Sequence, residues 1–257
     1  MGNMSNGLVK SAARVMAIFE CFEDVKRPLT ISELVRLMGV PQSSMSALMK
    51  SLLAQGFVDY DTRSRTYTPS VRVGLLGSWL MGGPQNHDNL LSMMQDLNAA
   101  TGDTVVLGVL NGVETQYIHV VNSYQRLRFH LSPGMLRPMF RTAVGLVLAS
   151  LRDDDEIGRM VRRVNTEFEQ SGELVQEADV MARVRECREK GYLITSNLAT
   201  PGAGMAATLL RNGPSNRPLA IGIGAPNPRL ASGREFLIDT LMSAVNNYAN
   251  GRENKAA

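Results

Sequence analysis

The side chains best placed to do chemistry lie in "GVPQSSMSALMKSLLAQGFVDYDTRSRTYTP", residues 39–69. Gln42, Ser43, Ser44 and Ser46 crowd the polar start of a helical pattern, Lys50 follows two turns on, and Arg63 and Arg65 tip a hairpin. A carboxamide can bond the paired donor and acceptor of an adenine edge. Short hydroxyls suit bases or phosphates, and Lys or Arg neutralises phosphate. Together these residue types fit a helix end and a basic hairpin offered to double-stranded DNA.

Charge is distributed to match. Residues 1–80 carry nine Lys/Arg against six Asp/Glu, and residues 81–257 carry eighteen of each. The whole excess of +3 therefore sits in the first third, as in a nucleic-acid-binding head on a neutral body.

Catalytic patterns are weak by comparison. His87, His119 and His130 have no metal-ligand spacing, so no metal is expected. Cys187, flanked by charges, could be a nucleophile only with a partnering base and reads as surface or half-buried filler. "DDDE" at 153–156 suits the start of a helix, where carboxylates complement the dipole. "GIGAP" and "PGAG" match no phosphate-binding loop. No catalytic residue and no cofactor are expected.

The elements that must position the DNA-facing residues are legible. Ala12, Val15, Met16, Phe19 and Phe22 mark one face of a first helix. "TISE", Thr30 to Glu33, is a capping box that opens a second helix, and Gly39 closes it. Pro41 precedes a third helix with an apolar face of Met45, Leu48, Met49, Leu52 and Leu53, which Gly56 stops. "FVDY" and "RTYTP" alternate around "DTRSR" as a hairpin. Three helices and a hairpin make a winged helix-turn-helix over residues 1–70. A linker helix over 71–84 ends near "GGPQN", and its Leu75, Leu76, Trp79 and Leu80 are more apolar than a lone exposed helix should display.

Residues 85–257 form the second domain. The pattern is a helix, then strands "DTVVLGVL", "TQYIHVV" and "RLRFHLSP". Helices follow at 141–151, 153–164 and 177–190, then strands "GYLIT", "AGMAATLLR" and "PLAIGIGAP", and a last helix capped by Ser232 and Glu235. Clustered strands and clustered helices predict an α+β fold, an antiparallel sheet with helices packed on it. No apolar run approaches the roughly 18 residues of a membrane span. The two cysteines form no framework, and a cytoplasmic location is expected.

The order of these segments resembles the IclR family of bacterial transcriptional regulators. The likeness is carried by "VKSAARVMAIFECF" and "PLTISELVRLMGVPQSSMSALMKSLLAQGFV" in the head. In the body it is carried by "LNAATGDTVVLGVLNG", "LRFHLSPGMLRPMFRTAVGLVLAS", "RECREKGYLI" and "PLAIGIGAPNPRL". It runs from about Val9 to Tyr248. The resemblance implies a GAF-like effector domain, dimers through the heads and, in many members, tetramers. Transferred by motif, the effector pocket would be lined by Phe129, Ala143, Val144, Thr195, Ala203, Met205, Gly222 and Gly224, with Arg128 and Arg141 in the same segments. Leu146 stands where the family has Lys, and Met205 where it has Cys. That lining is mostly apolar, and its glycines leave space. The expected effector is an aromatic or otherwise apolar carboxylic acid controlling a catabolic operon. An enzyme, or a ligand-free DNA-bridging protein with the same head, are the alternatives.

Overall fold

The computed structural model describes residues 9–78, 90–125, 131–169, 174–211 and 218–256. The chain divides into two compact units, 1–84 and 85–257.

In the first unit α1 (Lys10–Val25), α2 (Ile31–Met38) and α3 (Gln42–Ala54) precede a hairpin of β1 (Val58–Asp61) and β2 (Thr66–Pro69), and α4 (Val71–Ser78) follows. The capping box forms as expected. Glu33 N–H donates to the Thr30 hydroxyl, and the Thr30 backbone N–H donates to the Glu33 carboxylate. Gly39 ends α2 with φ +63°, a left-handed turn that favours glycine. Ile18, Phe22, Leu29, Leu34, Met45, Met49, Leu52 and Val58 close the core. The inner face of α1 differs from the expected one. Ile18 is fully buried, while Ala12 and Met16 face outward. The stripe at 15, 18, 19 and 22 packs on α2 and α3, and Met16 falls one step off it.

Leu29 and Tyr67 exchange both backbone hydrogen bonds, adding a third short strand segment to the hairpin. Tyr60 and Tyr67 pair across it with ring centroids 4.7 Å apart. Arg72 is consumed internally: it donates to the Gln55 carbonyl at 2.5 Å and lies over the Phe57 ring. It therefore ties the end of α3 to the start of α4.

Among the described residues the second unit is a six-stranded antiparallel sheet with helices on both faces. In chain order it runs α5 (Leu90–Thr101), β3 (Thr104–Asn111), β4 (Glu114–Val121), β5 (Leu136–Pro138), α6 (Ala143–Ala149), α7 (Asp154–Glu167), α8 (Glu177–Lys190), β6 (Tyr192–Ser196), β7 (Ala203–Leu210), β8 (Leu219–Pro226), α9 (Asn227–Ser232) and α10 (Arg234–Ala256). The strand order is β5-β4-β3-β8-β7-β6. Period-two alternation sorts the side chains. Val105, Leu107, Val109, Ile221 and Ile223 face α5 and α10. Val106, Tyr117, Ala207 and Ala220 face α6, α7 and α8.

Every residue of α6 is buried, so this helix is apolar all round. It sits tight on the sheet because glycines receive it. A Cβ on Gly108 would stand 2.7 Å from Val144 Cγ1, and one on Gly145 would overlap the Met139 carbonyl and the Thr115 hydroxyl.

Two sequence expectations are corrected here. Of the expected strand 126–133, residues 126–130 lie outside the described residues and 131–133 are irregular chain entering a turn; the strand described after β4 is Leu136–Pro138. The capping box at Ser232 and Glu235 does not form. Ser232 ends the short helix α9, and its hydroxyl donates to the Arg229 carbonyl instead. Asp153 does cap α7, accepting from Glu156 N–H at 2.7 Å.

Candidate functional site

The head presents its polar residues on one side of α3. Met45, Met49 and Leu52 are buried, and Gln42, Ser43 and Lys50 are exposed; Gln42 opens the helix on the same stripe as the methionines, with Ser43 and Lys50 beside it. Ser46 lies on the side of Ser43 and Lys50 and is half-buried. Ser44 points elsewhere: its hydroxyl accepts from Arg14 Nη1 at 3.0 Å, pinning α3 to α1. Ser44 thus orients the outward face of α3 from behind. Arg14, one of the head's excess cations, is held by that contact.

Arg63 and Arg65 stand exposed in the hairpin turn. Asp61 builds that turn by accepting from the Arg63 backbone N–H and the Ser64 hydroxyl, both at 2.8 Å. The Ser64 hydroxyl, followed by the Arg63 amide, holds the Asp61 carboxyl below the usual carboxylate range. Arg65 takes φ +55°, so the turn reverses sharply there. A helix with polar outward side chains beside a hairpin tipped with arginine is the geometry of a DNA-reading helix and its wing.

The body holds a small cavity of about 60 Å³ on the α6 side of the sheet. Thr104, Tyr117, Arg137, Arg141, Thr142, Ala143, Thr195, Ala203, Met205 and Gly224 border it, with the loop Leu198–Thr200 along one edge. Of the residues singled out from sequence, Arg141, Ala143, Thr195, Ala203, Met205 and Gly224 are brought together around it.

Val144 and Gly222 are not part of that lining. Val144 packs between Gly108 and Gly222, and the space over Gly222 holds the Met205 side chain. A Cβ on Gly222 would lie 2.9 Å from Met205 Sδ, and one on Gly224 would lie 3.2 Å from its Cε. The glycines therefore seat a methionine, and the cavity begins beyond it. Arg128 and Phe129 fall outside the described residues.

The lining is also more polar than the sequence suggested. Tyr117, Arg137, Thr104, Thr142 and Thr200 were missed, and no Asp or Glu borders the cavity among the described residues. Arg137 makes no ion pair or hydrogen bond among the described residues. Arg141 Nε donates to the Leu198 carbonyl at 3.3 Å. The Thr142 hydroxyl is fully engaged: it caps Gly145 N–H at 2.9 Å and meets the Thr115 hydroxyl and the Met139 carbonyl. Tyr117 is 3% exposed, and burial pushes its phenol up to about 12, with Arg137 opposing. Away from the cavity lining Asp103, nearly fully buried, pairs with Arg229 at 3.0 Å beside the start of β3. Burial raises the Asp103 carboxyl against the pull of Arg229.

Nothing here resembles a catalytic pair. Cys187 is buried in the body core, and burial raises its thiol, the opposite of a nucleophile. Of the three histidines only His119 lies among the described residues, half-buried on β4.

A winged helix-turn-helix joined to an α+β domain with a small-molecule cavity defines a DNA-binding transcriptional regulator. The comparisons with known proteins agree. The IclR helix-turn-helix domain matches residues 11–62, and the bacterial transcriptional regulator IclR C-terminal domain matches residues 88–250. The chain belongs to the IclR family, whose members are transcriptional regulators and not enzymes. It is 26% identical over 187 residues to the regulator KdgR of Escherichia coli, covering 72% of this chain and 70% of KdgR. It is 24% identical over 244 residues to the regulator SauR of Cupriavidus necator, covering 94% of each. An effector domain from Acinetobacter sp. ADP1 superposes with TM-score 0.59 at 30% identity, over 62% of this chain and 92% of that one. An IclR regulator from Alicyclobacillus acidocaldarius shares the fold over 95% of this chain and 99% of its own, with TM-score 0.60 at 21% identity.

Proposed function

We propose that this regulator binds a two-fold operator as a dimer in the cytoplasm and responds to a small carboxylic acid held in the body cavity. One observation carries the effector class: two arginines and no carboxylate border the cavity among the described residues. A buried or half-buried cation without a counter-charge favours an anionic ligand. Leu131, Leu198, Ala203 and Met205 offer the acid an apolar wall. The space is small beside the roughly 150 Å³ that accepts benzene in an engineered cavity. A short-chain acid fits as the site stands, and an aromatic one requires Met205 to swing aside. The dimer reading is supported by Met16, Val71 and Leu76, which leave 63%, 78% and 58% of their surface open on α1 and α4. The Leu75 side chain, Trp79 and Leu80 lie outside the described residues. Tetramers follow if the bodies also associate.

Coupling requires the acid to bind the DNA-competent and DNA-released states with different affinity. The test is a thermal-shift and calorimetric screen of short-chain and aromatic carboxylates, followed by operator binding with each hit. The expected result is stabilisation by short acids and a matching shift in operator affinity. A panel in which no acid binds, or binds without moving operator affinity, would overturn the reading.

A further inference from the structure

The cavity contains a donor that the arginine argument does not use. Tyr117 is 3% exposed and borders the cavity, yet its hydroxyl has no hydrogen-bond partner among the described residues. The hydroxyl is not among the fully enclosed unpaired atoms, so on a side chain that borders the cavity it remains open to an acceptor that enters there.

Strand register shows which charge stands beside it. β4 pairs with β5 so that Thr115 faces Arg137 and Gln116 faces Leu136. Thr115 and Tyr117 share one face of β4, which makes Arg137 the diagonal neighbour of Tyr117. Such neighbours are about 7–8 Å apart at the backbone, within reach of a long side chain. Glu114, opposite Pro138, belongs to the other face. Arg141 differs from Arg137 because it already holds the Leu198 carbonyl. The Thr142 hydroxyl has no capacity left.

We propose that Tyr117 and Arg137 together form the seat for the effector's carboxylate, and that Arg141 is a positioning residue for the loop Leu198–Thr200. One carboxylate oxygen accepts from the Tyr117 hydroxyl, and the other accepts from the Arg137 guanidinium. The carbon chain then runs towards Leu131, Leu198 and Met205. The phenol, pushed up to about 12 by burial, remains a neutral donor at physiological pH, so it selects an acceptor and repels none. This assignment rests on the carboxylic-acid reading above.

The experiment uses the full chain with two probes, butanoate and its uncharged isostere butanamide, measured by calorimetry or by carboxyl-carbon NMR. Wild type should prefer butanoate by tenfold or more. Tyr117→Phe keeps the ring and removes only the donor; it should weaken butanoate roughly tenfold. Arg137→Gln should abolish the preference for acid over amide. Arg141→Gln should keep that preference while lowering both affinities. If Tyr117→Phe binds butanoate as wild type does, or Arg137→Gln retains the preference, the seat is wrong. Loss of the preference in Arg141→Gln alone would place the seat at Arg141 and leave the carboxylic-acid reading intact. If wild type binds neither probe while another acid shifts operator binding, the seat is overturned and the regulator reading survives. If no acid binds at all, both fall.

Discussion

The head and the body handle polar side chains in opposite ways. The head displays Gln42, Ser43, Lys50, Arg63 and Arg65 on solvent-facing positions above a core of nine buried residues. The body hides Tyr117, Thr142 and Thr195 inside a much larger core, and only the Thr142 hydroxyl among them finds a partner among the described residues. Exposed cations are cheap to hold and are screened by salt. Buried donors are costly to hold, are scarcely screened, and respond only to a ligand that meets them. On the proposed function, one chain thus contains a salt-sensitive surface for a polyanion and a desolvated site for a single small molecule.

The largest way to break this contrast is at the helix seat of the body. Gly145→Val places carbon atoms onto the Met139 carbonyl and the Thr115 hydroxyl, both part of a packed core. A loss of about 3 kcal/mol or more is expected, since overpacking typically costs about 1–3 kcal/mol and backbone is less yielding than side chains. Denaturant unfolding followed by far-UV circular dichroism should show the body transition moving, while Tyr60 and Tyr67 report an unchanged head.

Next come the two kinds of head residue. Gln42→Ala should cost about 1–3 kcal/mol of discrimination at one base pair of each half-site. Lys50→Ala should instead weaken all sequences alike and reduce the salt slope of log affinity by about 0.9 per site. Equal effects of Lys50→Ala at low and high salt would show that α3 makes no phosphate contact there.

A smaller effect is expected at Gly222. Adding a methyl pushes the Met205 thioether, at 2.9 Å, towards the cavity. Gly222→Ala should reduce effector affinity several-fold, about 1 kcal/mol, and leave operator binding without effector unchanged. Unaltered effector affinity would mean that Met205 yields in another direction.

The smallest effect concerns pH and is confined to the head. Glu33 titrates at about 2, held down first by the Thr30 backbone N–H, then by Arg27 and the Thr30 hydroxyl. A carboxyl depressed on folding contributes stability above its unfolded pKa and loses it as pH falls through the folded value. Glu33→Gln should therefore be less stable than wild type at pH 7, and the gap should close between about pH 4.5 and 2. A gap that stays constant with pH would show that the capping contact does not depend on charge.

The head was legible because its site follows from local rules. Helix periodicity turns Ser43 and Lys50 away from the buried stripe, Gln42 is exposed at the helix start, and Thr30 with Glu33 fixes where α2 begins. Even so, the role of Ser44 was hidden, since its partner Arg14 lies thirty residues away on another helix. In the body the strands and most helices were readable from alternation and apolar runs. The cavity was only partly readable, because its walls are set by register and packing. The expected strand ended before β5 begins, so Arg137 was never placed opposite Thr115. Gly222 and Gly224 were read as open space, when a flexible thioether fills it. Tyr117 looked like an ordinary core residue, and only its unpaired hydroxyl distinguishes it.

The order of the sheet has a consequence in time. β3 pairs with β8, so Thr104 meets Gly224 across most of the body's length. A chain emerging from the ribosome completes the head's helices and hairpin through contacts between near neighbours. The centre of the sheet must wait until the segment around residue 226 has appeared, and distant pairing of this kind is slow. The cavity, bordered by residues from Thr104 to Ala225, is closed last. During synthesis the molecule therefore acquires its DNA-facing surface well before it can sense anything.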